Sequence, residues 1–267
     1  VYNGELYNYK EVAKKLIQNN ITLKTDGDTE VLFKAWIHWG KKALDFFDGM
    51  YAFVVYCKDG IYIVTDGFGE KPMYWYKTPD GVYFSSEPEP LIRFLKIPSN
   101  FNSYDIVSFL GLGFLPGKET GFLNLSKVEP GSIIHVRKNG TSYQEKYWQP
   151  ASPVGKEKLK PMANNDIEDI INILIETLKY RLRADVPLSL FLSSGIDSTL
   201  VAALATKELK KDINAFTVSF SNSVKDETAN AKIIAKYLKL NHEIVSCENA
   251  TSLEDKNLLF EIYGELN

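Results

Sequence analysis

Leu188-Ser189-Leu190-Phe191-Leu192-Ser193-Ser194-Gly195-Ile196-Asp197-Ser198-Thr199 is an apolar run that breaks into small hydroxyl residues and a glycine. Leu200-Val201-Ala202-Ala203-Leu204 follows at once with a helix-like pattern. The order reads as a buried strand, a tight loop and a helix start. Such a turn aims backbone N–H groups and the positive end of a helix at one point, where a phosphate can sit. No G-x-x-x-x-G-K-[ST] occurs in the chain, so the loop is not a Walker A. A serine-rich turn that merely caps a helix is the competing reading, because every strand–turn–helix needs capping residues.

Outward from this loop the rhythm is strand–helix alternation. Strands are expected at Leu188–Leu192, Ile213–Phe220 and His242–Ser246, with helices starting near Ser198 and Asp226 and a long helix over Asp166–Arg183. That alternation predicts a parallel sheet with right-handed crossovers, whose ligands bind at the carboxyl ends of strands. Residues 150–165 contain Pro150, Pro153 and Pro161 with little apolar content, and read as a linker. The front, residues 1–149, has another rhythm. Helices are expected over 9–19 and 28–39, then short strands at Tyr51–Cys57, Ile61–Thr65, Met73–Tyr76, Val82–Ser85, Ile133–Arg137 and Thr141–Trp148. Lys58-Asp59-Gly60, Pro79-Asp80-Gly81 and Asn139-Gly140 supply the turns. Helices over Glu87–Leu95 and Ser103–Leu110 complete an α+β layered domain. The back domain spans 166–267.

At 267 residues and 45% hydrophobic, the chain can bury one large core or two smaller ones. A net charge of −3 and a pI near 5.8 do not provide a nucleic-acid footprint. Cys57 and Cys247 cannot make a disulfide framework and are expected to be core or near-core thiols. His38, His135 and His242 are too scattered to suggest a metal site. No run of about 18 apolar residues and no signal peptide is present, so a cytoplasmic protein with no membrane partner is expected. The chain opens on Val1 without an initiator methionine and stops at Asn267 straight after a helical pattern, as a fragment would.

A second constellation sits at the front: Asn3-Gly4-Glu5 and, further on, Asp28-Thr29-Glu30. Two carboxylates and an amide can close around a zwitterionic amino acid, one carboxylate pairing with the α-ammonium and the amide with a carbonyl or its oxyanion. Taken separately, Asn-Gly-Glu also reads as a turn and Asp28 as a helix N-cap.

Together the two ends resemble the glutamine-dependent asparagine synthetase family. Its F-N-G-E-I-Y-N-Y is similar to Val1–Tyr9, and its T-D-S-D-T-E-V to Thr25–Val31. L-x-x-x-x-G-M-F-A-F resembles Leu44–Phe53, D-R-F-G-x-K-P-L-Y resembles Asp66–Tyr74, and F-A-S-E resembles Phe84–Glu87. Behind the linker, R-L-R-A-D-V-P matches Arg181–Pro187, and the S-G-G-x-D-S pyrophosphate loop of the ATP pyrophosphatase group resembles Ser193–Ser198. F-T-V-x-F matches Phe216–Phe220, D-E-x-x-x-A begins at Asp226, and H-H-E resembles Asn241–Glu243. The matches are collinear over nearly the whole chain.

The resemblance implies an α+β N-terminal-nucleophile (class II glutamine amidotransferase) sandwich followed by an α/β parallel-sheet ATP pyrophosphatase domain of the adenine nucleotide alpha hydrolase type, both incomplete. It implies Asn3 and Gly4 as the oxyanion-hole pair, and Asn3, Gly4, Glu5 and Asp28 as the glutamine-binding set. It implies ATP on Leu192, Ser193, Ser194, Gly195, Asp197, Ser198 and Val218, with Asp197 as a Mg2+ ligand. The substrates implied are glutamine, aspartate and ATP, with a homodimer admitted as the assembly. The activity implied is glutamine-hydrolysing asparagine synthesis through an adenylated aspartate. A relative that amidates another carboxylate or closes a β-lactam shares the scaffold, and a non-catalytic nucleotide-binding relative is the reading from a different class. The family's nucleophile is a cysteine at residue 1 of the mature enzyme; none stands at this chain's front, so these 267 residues alone are expected to be inactive. Ser194 replaces the usual first glycine of the loop and would crowd a phosphate if that position needed positive φ.

Overall fold

A computed structural model describes residues 1–98, 100–151, 163–220 and 227–247. Most of the expected linker, together with Asp226 and Leu266-Asn267, lies outside them. The described residues fall into two compact units, one within residues 1–151 and one within 163–247.

The front unit opens with β1 (Tyr2–Leu6), α1 (Tyr9–Gln18), α2 (Asp28–Trp39) and a 3-10 helix (Gly40–Phe46). β2 (Gly49–Cys57), β3 (Gly60–Thr65), β4 (Tyr74–Thr78) and β5 (Gly81–Ser85) come next. α3 (Pro88–Leu95), α4 (Ser103–Leu112), β6 (Leu125–Lys127), β7 (Ser132–Arg137) and β8 (Ser142–Lys146) complete it. An antiparallel sheet runs β1-β2-β3-β7-β8, and a second runs β5-β4-β6. Period-2 alternation sends Phe53, Val64 and Ile133 to one face of the large sheet, where they pack with Val12 and Leu16 of α1 and Val31, Leu32, Ala35 and Trp36 of α2. Ala52, Val54, Ile63, Ile134 and Val136 go to the other face, against Trp75, Val82 and Phe84 of the small sheet. The result is three layers: helices, large sheet, small sheet.

Asp66 ties the strand ends. Its carboxylate, 1% exposed, accepts four backbone N–H bonds, from Tyr51 (3.1 Å), Phe68 (3.0 Å), Glu70 (3.1 Å) and Lys71 (3.1 Å). A buried charge is tolerated only when hydrogen-bonded in this way. Next to it, Gly67 leaves room for the ring of Trp148, which a Cβ at that position would meet at 3.0 Å.

In the back unit, α5 (Asn164–Arg181) precedes β9 (Ser189–Phe191), α6 (Ile196–Ala203), a π-helical turn (Leu204–Glu208), β10 (Asn214–Phe220), α7 (Thr228–Leu238) and β11 (Asn241–Cys247). β9 and β11 flank β10 and both run parallel to it, as the alternation predicts. The core is built on small residues, with Ala202, Ala215, Ala231 and Ala235 beside Leu192 and Leu238, which lets the helices approach the sheet closely. Two expectations are corrected here. β9 is not a buried strand: among the described residues it is an edge, and Phe191 is 78% exposed. Cys247 is not a core thiol but exposed at the end of β11, whereas Cys57 is half-buried against the front core.

Candidate functional site

The front candidate site is built on β1, an edge strand among the described residues. Val1 and Val54 exchange two backbone hydrogen bonds, at 3.0 and 2.8 Å, and the register continues as Tyr2↔Phe53, Asn3↔Ala52 and Gly4↔Tyr51. Bonded and non-bonded pairs alternate in an antiparallel ladder, so Asn3 and Glu5 bond to β2 while Tyr2, Gly4 and Leu6 turn their backbone groups away from it. Tyr51 agrees: its backbone groups bond across to Asp66 instead. Leu6 N–H, on the outward side, donates to Asp28 Oδ2 at 3.0 Å. Gly4 N–H points the same way, and at about 3.4 Å per residue lies about 7 Å along the edge from Leu6. Gly4 has φ +147°, and a Cβ there would fall 2.1 Å from the Met50 carbonyl oxygen. Only glycine fits this strand at this point.

The same alternation separates the side chains. Tyr2 and Leu6 face the helical layer and pack with its core; Asn3 and Glu5 face the opposite way. Asn3 Nδ2 donates weakly to Ser86 Oγ at 3.4 Å. Asp28, at the start of α2, comes from the helical side, so it and Glu5 reach the edge of β1 from opposite faces. Glu30 holds the approach to α2: its carboxylate accepts from Lys24 N–H, from Thr25 N–H and from Thr25 Oγ1, at 2.7 to 3.1 Å. These hydroxyl and backbone hydrogen bonds hold the Glu30 carboxyl below its ordinary range. Thr25 and Glu30 therefore close the loop that delivers Asp28, a role the sequence reading did not assign.

The back site is the turn after β9. Its first three N–H groups are occupied by the chain itself. Ser193 N–H donates to Ser198 Oγ (3.2 Å), Ser194 N–H to Glu227 Oε2 (3.0 Å) and Gly195 N–H to Ser193 Oγ (3.1 Å). The two serine hydroxyls are also paired at 2.8 Å. Next come the N–H groups of Ile196, Asp197 and Ser198, the first turn of α6, which have no intrahelical acceptor by position. Ser194 does not have positive φ, so its Cβ adds no backbone strain, and Gly195 sits at φ −68°. The positive φ on which crowding by Ser194 was conditional is therefore absent.

Leu192 is 2% exposed; its N–H donates to Phe216 O and its carbonyl accepts from Thr217 Oγ1 at 2.6 Å. Its side chain belongs to the core, which leaves Val218, 39% exposed, as the accessible apolar group of the expected adenine pair. Thr217 has one hydroxyl proton and gives it to Leu192 O, so His242 Nε2, 2.7 Å away, is the donor in their contact. Burial and the Lys232 ammonium lower the His242 pKa.

Asp197 is exposed in the first turn of α6. Mg2+ keeps several waters and is usually bound by one or two carboxylates plus phosphates, so a single outward carboxylate fits it. Among the described residues no group of three or more His, Cys, Asp or Glu side chains could hold a metal by itself. No helix among them is long and apolar enough to cross a membrane.

The strand edge carrying Asn3, Gly4 and Glu5 and the serine-rich turn beside the parallel sheet are thus the two candidate sites, one in each unit. The glutamine amidotransferase domain family matches residues 1–148, and the asparagine synthase family matches residues 169–265. The chain belongs to the asparagine synthetase family. Asparagine synthetase [glutamine-hydrolyzing] 1 of Bacillus subtilis is 31% identical over 246 residues, 89% of this chain and 37% of its own length. Asparagine synthetase [glutamine-hydrolyzing] 2 of the same organism is 30% identical over 257 residues, 91% of this chain and 34% of its own. The chain thus spans little more than a third of each. Among solved structures, glutamine phosphoribosylpyrophosphate amidotransferase from B. subtilis matches over 93% of this chain and 60% of its own, with TM-score 0.39 and 15% identity.

Proposed function

We propose that this chain supplies the glutamine-binding and pyrophosphate-binding parts of a glutamine-dependent ligase that makes asparagine from aspartate and ATP. One observation carries the reading: a backbone donor, Gly4 N–H, lies about 7 Å along one strand edge from Leu6 N–H, which anchors the carboxylate of Asp28. An extended glutamine side chain spans about that distance between its amide oxygen and its α-ammonium. Glutamine lies along β1 like a short added strand, with its amide oxygen on Gly4 N–H and its ammonium between Asp28 and Glu5. Asn3 reaches the amide from the opposite face of the sheet. Preorganised donors aimed at a developing oxyanion are worth about 3 kcal/mol each.

In the back unit, the α6 N-terminus and the hydroxyls of Ser193 and Ser198 receive the phosphates of ATP. Ser194 N–H joins them once Glu227 gives way. Asp197, together with the phosphates, would hold Mg2+, which would offset the charge of the departing pyrophosphate. Val218 covers one side of the adenine. The parent protein acts in the cytoplasm on glutamine, aspartate and ATP.

The test is isotope exchange between pyrophosphate and ATP, catalysed by the full-length protein that contains this chain. Exchange that requires aspartate supports the reading. Exchange that requires a different acid, or none with any acid, overturns it.

A further inference from the structure

Asp28 is held on one side only. Its Oδ2 takes two hydrogen bonds, from Leu6 N–H at 3.0 Å and from the Tyr2 hydroxyl at 2.7 Å. Its Oδ1 takes one long bond, from Thr29 Oγ1 at 3.3 Å, and keeps a lone pair. A free carboxylate at a helix start rotates about its χ2, which is broad, and offers either oxygen. Two donors on Oδ2 stop that rotation.

We propose that Tyr2 is a positioning residue of the glutamine site, its hydroxyl fixing Asp28 so that Oδ1 faces the α-ammonium of the substrate. The ring of Tyr2 packs against the helical core, a task that phenylalanine performs equally well. The hydroxyl is the added element, and it is spent on Asp28. Burial and then the bond to Asp28 hold the Tyr2 phenol far above its ordinary range, with Glu5 adding to the effect. In this bond the phenol donates and Asp28 Oδ2 accepts.

This inference rests on the glutamine reading above, and its test separates the two. The chain is titrated with L-glutamine and with 4-carbamoylbutanoate, the same molecule without its α-ammonium, before and after Tyr2→Phe. The expected result is a loss of roughly tenfold or more in L-glutamine affinity, the low end of what a hydrogen bond to a charged group contributes, with 4-carbamoylbutanoate binding unchanged. Equal weakening of both ligands would reduce Tyr2 to packing and overturn the proposal. So would an unchanged L-glutamine affinity in a chain that prefers L-glutamine to its deaminated analogue. A starting chain that shows no such preference, or whose preference survives Asp28→Asn, removes Asp28 from the site and takes both readings down.

Discussion

The two candidate sites use backbone N–H groups in opposite conditions. At the front edge, the outward side of β1 offers Gly4 N–H while its neighbour Leu6 N–H is spent on anchoring Asp28. At the back turn, Ser193, Ser194 and Gly195 have all turned their N–H groups onto Ser198, Glu227 and Ser193. At the front edge the alternation of the ladder turns Gly4 N–H away from β2. At the back turn those three donors are satisfied within the chain, while the N–H groups of Ile196, Asp197 and Ser198 have no intrahelical acceptor. A strand edge leaves every second residue unpaired by geometry, whereas a serine-rich turn carries its own acceptors.

The two glycines expose this difference most sharply. Gly4→Ala drives a Cβ into the Met50 carbonyl and forces a φ that side chains rarely adopt. Its expected cost is at least about 3 kcal/mol, read by urea denaturation. Gly195→Ala meets only the Ser193 hydroxyl, at 3.1 Å, from a φ open to any residue, and is expected to cost under about 1 kcal/mol. Equal costs at the two positions would remove the contrast.

Glu227→Gln takes a negative charge from the turn and leaves Ser194 N–H facing a neutral acceptor. Inorganic pyrophosphate without Mg2+ is then expected to bind about threefold to tenfold more tightly, because like charge against an incoming anion is removed. Weaker binding in calorimetry would make Glu227 part of the cradle instead of its occupant. The smallest effect concerns His242, on the strand beside Thr217. Its pKa is lowered by burial and by Lys232, so the folded chain favours the neutral ring. The stability it contributes is present above its ordinary pKa, near 6.5, and is lost as pH falls through the lowered folded value. Unfolding midpoints followed from pH 8 to 5 should decline less in His242→Gln than in the parent chain.

Much of the architecture was legible because it follows strong periodicity. α1 and α2 appear within a residue of their expected limits, since Val12–Leu16 and Val31–Ala35 repeat at helical spacing. The parallel run of β9, β10 and β11 follows from strand–helix alternation alone. β1 was not read as a strand, because Asn3, Gly4 and Glu5 are all poor strand formers. It exists because Tyr2 and Leu6 bury on one face and Gly4 lets the backbones close. β6, three residues long, has too short a pattern to register. At the sites, Asp28 was visible as a carboxylate before a helix, but its anchor was not. No local pattern says that the hydroxyl of Tyr2, 26 positions away, will reach it. Glu227 was legible as part of a motif, while its bond to Ser194 depends on how α7 packs beside the turn.

The claim that glutamine lies along the outward edge of β1 is tested most directly by titrating a 15N-labelled chain with L-glutamine and following backbone amides. The account predicts that the Gly4 amide moves most and the Leu6 amide stays on Asp28 with little change. A response elsewhere in the front unit with the Gly4 amide unmoved would contradict it.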